Sequence, residues 1–220
     1  MGMEQYIIYA ADLFGTVVFA VTGAIRGLSC KLDMLGVVVL ACTVGTGGGL
    51  LRDALIGATP AASLSNGIYL LVCIIAGLVV FYLPQKILKK STQIIIVLDA
   101  IGLGVFTALG NAKALRYGLP PVTVILSGVI TSVGGGAIRD ILVCTIPMIL
   151  KNDFYATASL IGGVAYLLLH SLHIPFFTKF VLVALLVTGL RILAYRRKVQ
   201  LPKSGDPKLL QRYFQRRNRR

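Results

Sequence analysis

Gly47-Gly48-Gly49-Leu50-Leu51-Arg52-Asp53 occurs a second time as Gly134-Gly135-Gly136-Ala137-Ile138-Arg139-Asp140, 87 residues further on. Both copies sit in strongly apolar sequence. Three successive glycines do nothing for helix stability, since each costs about 1 kcal/mol relative to Ala inside a helix. An Arg-Asp pair at membrane depth costs roughly 2.5 kcal/mol or more per charge on insertion scales. A chain that accepts both costs twice, at one spacing, is using them.

The repeat extends outward from the motif. Residues 12–60 align with residues 99–147 without a gap, and 15 of the 49 aligned positions are identical. Asp12 meets Asp99, Gly15 meets Gly102, Val18 and Phe19 meet Val105 and Phe106, and Gly23 meets Gly110. Arg26 meets Lys113, Leu55 meets Leu142, and Pro60 meets Pro147. Internal duplication of this kind marks many transporters and channels.

A hydrophobic content of 56% in 220 residues, with a mean hydropathy of +0.84, excludes an ordinary soluble domain. Apolar runs approach the roughly 20 residues that a bilayer requires. They are 6–25, 34–51, 65–83, 94–112, 119–138, 154–170 and 176–193. The second and fifth end in the glycine motif, and a short apolar piece follows each, so both are expected to be broken helices. The expected fold is therefore an all-α polytopic membrane protein with seven transmembrane helices. Repeat one covers about 5–84 and repeat two about 92–171, with a seventh helix over about 174–194. Three spans per repeat return the chain on the opposite side, so the two units should be inverted about a pseudo-two-fold axis in the membrane plane.

Charge sets the expected orientation. Residues 1–195, the channel domain in this division, hold 12 basic and 7 acidic side chains, while the tail 196–220 holds 10 and 1. The tail should be cytoplasmic, and seven spans then put the N-terminus outside. Arg26, Lys31, Lys86, Lys89, Lys90 and Lys151 fall on the inner side; only Lys113 and Arg116 run against the bias. In the tail, Leu209, Leu210, Tyr213 and Phe214 are interleaved with Lys208, Arg212, Arg216 and Arg217. That pattern suits either an amphipathic helix on anionic lipid or a disordered topology signal. No folded module accompanies the charge, which argues against nucleic acid. The first run lacks a basic leader and carries Asp12, so it reads as a retained span. Cys30, Cys42, Cys73 and Cys144 show no CxxC spacing and read as packing residues, with no metal site. His170 and His173 read as interfacial.

Two readings of the motif compete. A glycine run that breaks a helix frees carbonyls and N–H groups, which persist at membrane depth only in protein or beside a watery cavity. Gly47, Gly48, Gly49, Gly134, Gly135 and Gly136 would then mark a solute path. Arg52, Asp53, Arg139 and Asp140 would gate it or shape its field. The alternative is close helix packing through small residues, with the Arg-Asp pairs as structural staples. Duplicated charge together with duplicated backbone disruption favours the path. Asp12 and Asp99 are weaker candidates, single acids in apolar spans with Arg52 or Arg139 as prospective partners. No Ser-His-Asp order, HExxH, phosphate loop or spaced carboxylate pair occurs, so no enzyme is indicated and no cofactor is expected.

The doubled GGGxxRD, the inverted duplication and the seven spans resemble the prokaryotic branch of the trimeric intracellular cation (TRIC) channel family, whose bacterial members are also labelled glycine transporters. The resemblance covers Asp12 to about Leu193. It implies a homotrimer with one ion path inside each protomer, kinked second and fifth helices, and K⁺-permeable conduction. The family's glycine bends correspond to Gly47–Gly49 and Gly134–Gly136. The Lys-Glu-Val motif of the animal members is absent.

The reading that follows is a channel of the cytoplasmic membrane passing K⁺ or Na⁺ passively, with lipid as its surroundings. The rival is a secondary transporter of a small zwitterion such as glycine, whose two ends an Arg-Asp pair could bind. A membrane scaffold would explain the hydropathy but not the doubled motif. Arginines in a cation path pose a conflict: they must be neutralised by their aspartates or act as gates.

Overall fold

Backbone N–H and C=O groups find no water in a bilayer, so an apolar chain must satisfy them within each segment. The computed structural model, which describes residues 3–83, 91–151 and 154–197, does so with helices alone; among the described residues there are nine helices and no strand. They are α1 (Met3–Ser29), α2 (Met34–Leu55), α3 (Ala62–Ser65), α4 (Ile68–Phe81), α5 (Ser91–Arg116), α6 (Pro121–Leu142), α7 (Met148–Lys151), α8 (Ala156–Ser171) and α9 (Phe176–Arg197).

Local chemistry sets several ends. The Asp33 carboxylate accepts the Gly36 N–H at 2.7 Å and caps α2. Pro121 occupies the first position of α6, where a missing N–H is harmless. Asn66 accepts the Ile68 N–H at 3.0 Å and delays the start of α4.

Among the described residues, five helices are long and apolar enough to cross a membrane: α1, α2, α5, α6 and α9. Of the other two expected spans, α4 is shorter than anticipated and α8 is nearly as long as anticipated. α4 has 14 residues and α8 has 16, about 21 and 24 Å at 1.5 Å per residue. Polar Ser65-Asn66-Gly67 cuts off one end of α4, and Tyr155 precedes α8 in a non-spanning turn.

The expected breaks in α2 and α6 do not occur. Both helices run without interruption through Gly47–Gly49 and Gly134–Gly136. Their crossing accounts for the glycines. A methyl group on Gly48 would strike the Thr131 carbonyl oxygen, and one on Gly135 would lie 2.5 Å from the Val44 carbonyl oxygen. Only residues without a Cβ let the two backbones approach so closely. Val44 and Thr131 are themselves matched by the 87-residue shift, so the contact is reciprocal. The same holds one layer away. Phe106 covers Gly15 and Phe19 covers Gly102, with the two rings 5.1 Å apart.

α1, α2 and α4 pack together, as do α5, α6 and α8. The α1–α5 and α2–α6 contacts join the two groups, and α9 lies against α5 and α8. Leucines and isoleucines cover the outside, among them Leu71 and Ile75 on α4 and Leu182 and Leu185 on α9. So much outward apolar surface belongs against lipid. The charges lie inside: Arg52, Asp53, Asp99, Arg139, Asp140 and Arg191 are all buried. Lys86, Lys89, Lys90 and the basic tail beyond Arg197 lie outside the described residues.

Candidate functional site

Each Arg-Asp motif sits in the last turn of its helix, and each nucleates a buried charge cluster. In the first, Arg52 Nε donates to Asp53 Oδ1 at 2.8 Å. Lys113 Nζ, reaching across from α5, donates to the same oxygen at 2.7 Å. Asp53 Oδ2 accepts the Ala62 N–H at 3.1 Å, which anchors the start of α3. Asp12, on α1, accepts the Tyr69 hydroxyl at 2.9 Å. Asp12, Arg52 and Asp53 line a common cavity of about 10 Å³ with Thr16, Thr46 and Gly49. That is room for about one water molecule.

The second cluster is built on the same plan and completed differently. Arg139 Nε donates to Asp140 Oδ1 at 3.0 Å, and Nη1 donates to Asp99 Oδ1 at 2.9 Å and to Thr22 Oγ1 at 3.2 Å. Asp140 Oδ2 accepts the Met148 N–H at 2.8 Å and anchors α7, as Asp53 anchors α3. Arg26 holds the position equivalent to Lys113, yet it makes no ion pair with a described residue. Its Nη2 reaches Thr145 Oγ1 at a long 3.4 Å, and its Nε is buried with no partner. Here the cavity is about 200 Å³, lined by Arg26, Thr92, Arg139, Asp140, Thr145 and Met148. The Arg191 guanidinium stacks 4.8 Å over the Tyr155 ring, and its Nε also lacks a partner.

The clusters share helices in opposite order. α1 carries Asp12 into the first and Arg26 into the second. α5 carries Asp99 into the second and Lys113 into the first. In each case 14 residues separate the pair, about 21 Å of helix.

The structure divides the six motif glycines by role. Gly48, Gly134 and Gly135 lie in the α2–α6 crossing, and Gly47 faces Ile138. Gly49 lines the small cavity beside Arg52. Gly136 leaves room for Tyr155, whose hydroxyl would lie 2.7 Å from a Cβ there. Asp99 does pair with Arg139, within its own repeat. Asp12 shares a cavity with Arg52 but bonds Tyr69 instead.

The family model described as "Glycine transporter" matches residues 9–85 and again residues 96–171. The UPF0126 inner membrane protein YadS of Escherichia coli (strain K12) is 33% identical over 197 residues, which cover 89% of this chain and 95% of that protein. A solved TRIC cation channel superposes with a TM-score of 0.80 at 35% identity, covering 90% of this chain and 97% of its own. The TRIC trimeric intracellular cation channel orthologue from Rhodobacter sphaeroides superposes at 0.82 with 31% identity, covering 88% and 99%.

The chain belongs to the prokaryotic TRIC family. It is a membrane protein with apolar spanning helices. The residues of this TRIC chain that sequence reasoning passed over are Lys113, Arg26, Tyr69, Thr22, Tyr155 and Arg191. A signal existed for the first two: both are basic, both end a span, and the internal repeat aligns them. Lys113 and Arg116, the exceptions to the charge bias, are each ion-paired, Arg116 to Glu4 at 3.0 Å. The four cysteines are free, and His170 Nδ1 lies 3.1 Å from Lys179 Nζ.

Proposed function

We propose that this TRIC-family chain is a passive channel for monovalent cations, K⁺ foremost and Na⁺ with it, conducting through a path inside each protomer of a homotrimer. The TRIC cation channels it superposes on support the cation and the trimer. The path would run from one charge cluster to the other, between α1, α2, α5 and α6. The reciprocal Gly48–Thr131 and Gly135–Val44 contacts favour a pseudo-two-fold relation between the repeats. The opposite order of charges along α1 and α5 favours its lying in the membrane plane. The basic residues of the tail and loops favour a cytoplasmic C-terminus and an external N-terminus.

The observation that carries the mechanism is Lys113 on Asp53. One basic side chain from repeat two closes onto the motif of repeat one, and the cavity there shrinks to a single water. An ion cannot shed its hydration to pass such a point without replacement ligands. We read the Lys113–Asp53 link as the closed gate at this end. Releasing Lys113 would leave Asp53 and Asp12 facing the path, two carboxylates against Arg52 alone. That resolves the conflict over arginines in a cation path, because Arg52 and Arg139 are each held by carboxylates.

Purified protein in a planar bilayer with K⁺ on both sides tests the proposal. Unitary cation currents are expected. Saturable glycine uptake without such currents would replace the channel with the transporter reading.

A further inference from the structure

We propose that the cavity beside Arg26 is a binding site for a small oxyanion, a carboxylate or a phosphate. Three observations meet there. Arg26 presents a guanidinium fork whose Nε is buried without a partner and whose Nη2 makes only one long bond. A buried donor left unpaired is costly, and an oxyanion is the acceptor that the arginine fork fits bidentately. The cavity has about 200 Å³ of room, several water volumes, or a ligand of a few heavy atoms. The hydroxyls of Thr92 and Thr145 supply further polar lining.

The internal repeat supplies the third argument. The equivalent cation of the other cluster, Lys113, has its carboxylate in Asp53. Arg26 has none within ion-pair distance among the described residues. In this cluster Arg26 and Arg139 stand with Asp99 and Asp140, and both carboxylates pair with Arg139. The first cluster sets Arg52 and Lys113 against Asp12 and Asp53.

Asp140 also lines the cavity and opposes an anion. Both its oxygens are engaged, however, one by Arg139 and one by the Met148 N–H. The inference requires only the cavity and its charges. It rests on the channel reading for one consequence, that a bound oxyanion neutralises Arg26 and raises cation current.

Thermal unfolding of the purified full-length protein tests it, at fixed pH and ionic strength, with inorganic phosphate or acetate replacing chloride. A saturable rise in unfolding temperature is expected. Arg26→Gln should abolish it, and Arg26→Lys, which keeps charge but loses the fork, should weaken binding about tenfold. Lys113→Gln should leave it unchanged. In parallel, nanodiscs of phosphatidylglycerol are compared with phosphatidylcholine, without free phosphate. An Arg26-dependent rise in delipidated detergent identifies a free anion, and one seen only in phosphatidylglycerol identifies a headgroup; either supports the site. No rise in any arm, or an equal rise in Arg26→Gln and Arg26→Lys, overturns it. Unitary currents that persist without these anions would leave the channel proposal standing while the binding test fails.

Discussion

The two charge clusters are copies that have been finished in different ways. Each has an arginine and an aspartate from a helix end, a second aspartate from a neighbouring helix, and a basic residue sent across from the other repeat. At the first, the crossing residue is Lys113, and it closes on Asp53 with space for one water left beside it. At the second, it is Arg26, which stands off from Asp140 at the edge of a cavity twenty times larger by volume (about 200 against about 10 Å³). The intramolecular bonds differ to match. Arg139 is gripped by two carboxylates and a hydroxyl; Arg52 has a single carboxylate, shared with Lys113. Duplication delivered equal parts, and divergence turned one end into a link and left the other open.

That inequality is easiest to break at the arginines. Arg139→Ala leaves Asp99 and Asp140 buried with their shared cation gone, and should destabilise by about 3–5 kcal/mol. Arg52→Ala leaves Asp53 with Lys113 and should cost about half as much. Thermal unfolding in mild detergent compares them; equal losses would contradict the asymmetry. The glycine crossing should behave in the opposite, symmetric way. Gly48→Ala and Gly135→Ala each push a methyl onto a carbonyl of the partner helix, and each should cost about 1–3 kcal/mol. A difference between them beyond about 1 kcal/mol would break the reciprocity. The smallest effect belongs to the exposed Arg116–Glu4 pair: Glu4→Gln should change stability by less than about 1 kcal/mol in the same assay.

The doubled motif made the charge-bearing helix ends legible, and the 87-residue alignment already held the basic pair Arg26 and Lys113. What could not be read was reach. Whether Asp12 or Asp99 meets an arginine depends on helix rotation, and only Asp99 does; Asp12 takes the Tyr69 hydroxyl from α4. The glycines misled because propensity was weighted above the packing alternative. Three helix-weakening residues were expected to end α2 and α6, but the backbone contact at Gly48 and Gly135 holds both helices through them. The length of α4 was overestimated because hydropathy does not register the bond from the Ile68 N–H to the Asn66 side chain. The second cavity has no linear signature: Thr92, Arg26 and Thr145 come from three separate segments.

The central claim is that the Lys113–Asp53 link closes one end of an ion path. Single-channel recording of Lys113→Ala beside the unsubstituted protein, in symmetric KCl, tests it most directly. Lys113 is partly exposed and Asp53 keeps Arg52, so the variant should fold with a loss of about 1 kcal/mol. The account predicts a higher open probability or larger unitary K⁺ current in Lys113→Ala. Unchanged currents from a stable, correctly assembled variant would contradict it.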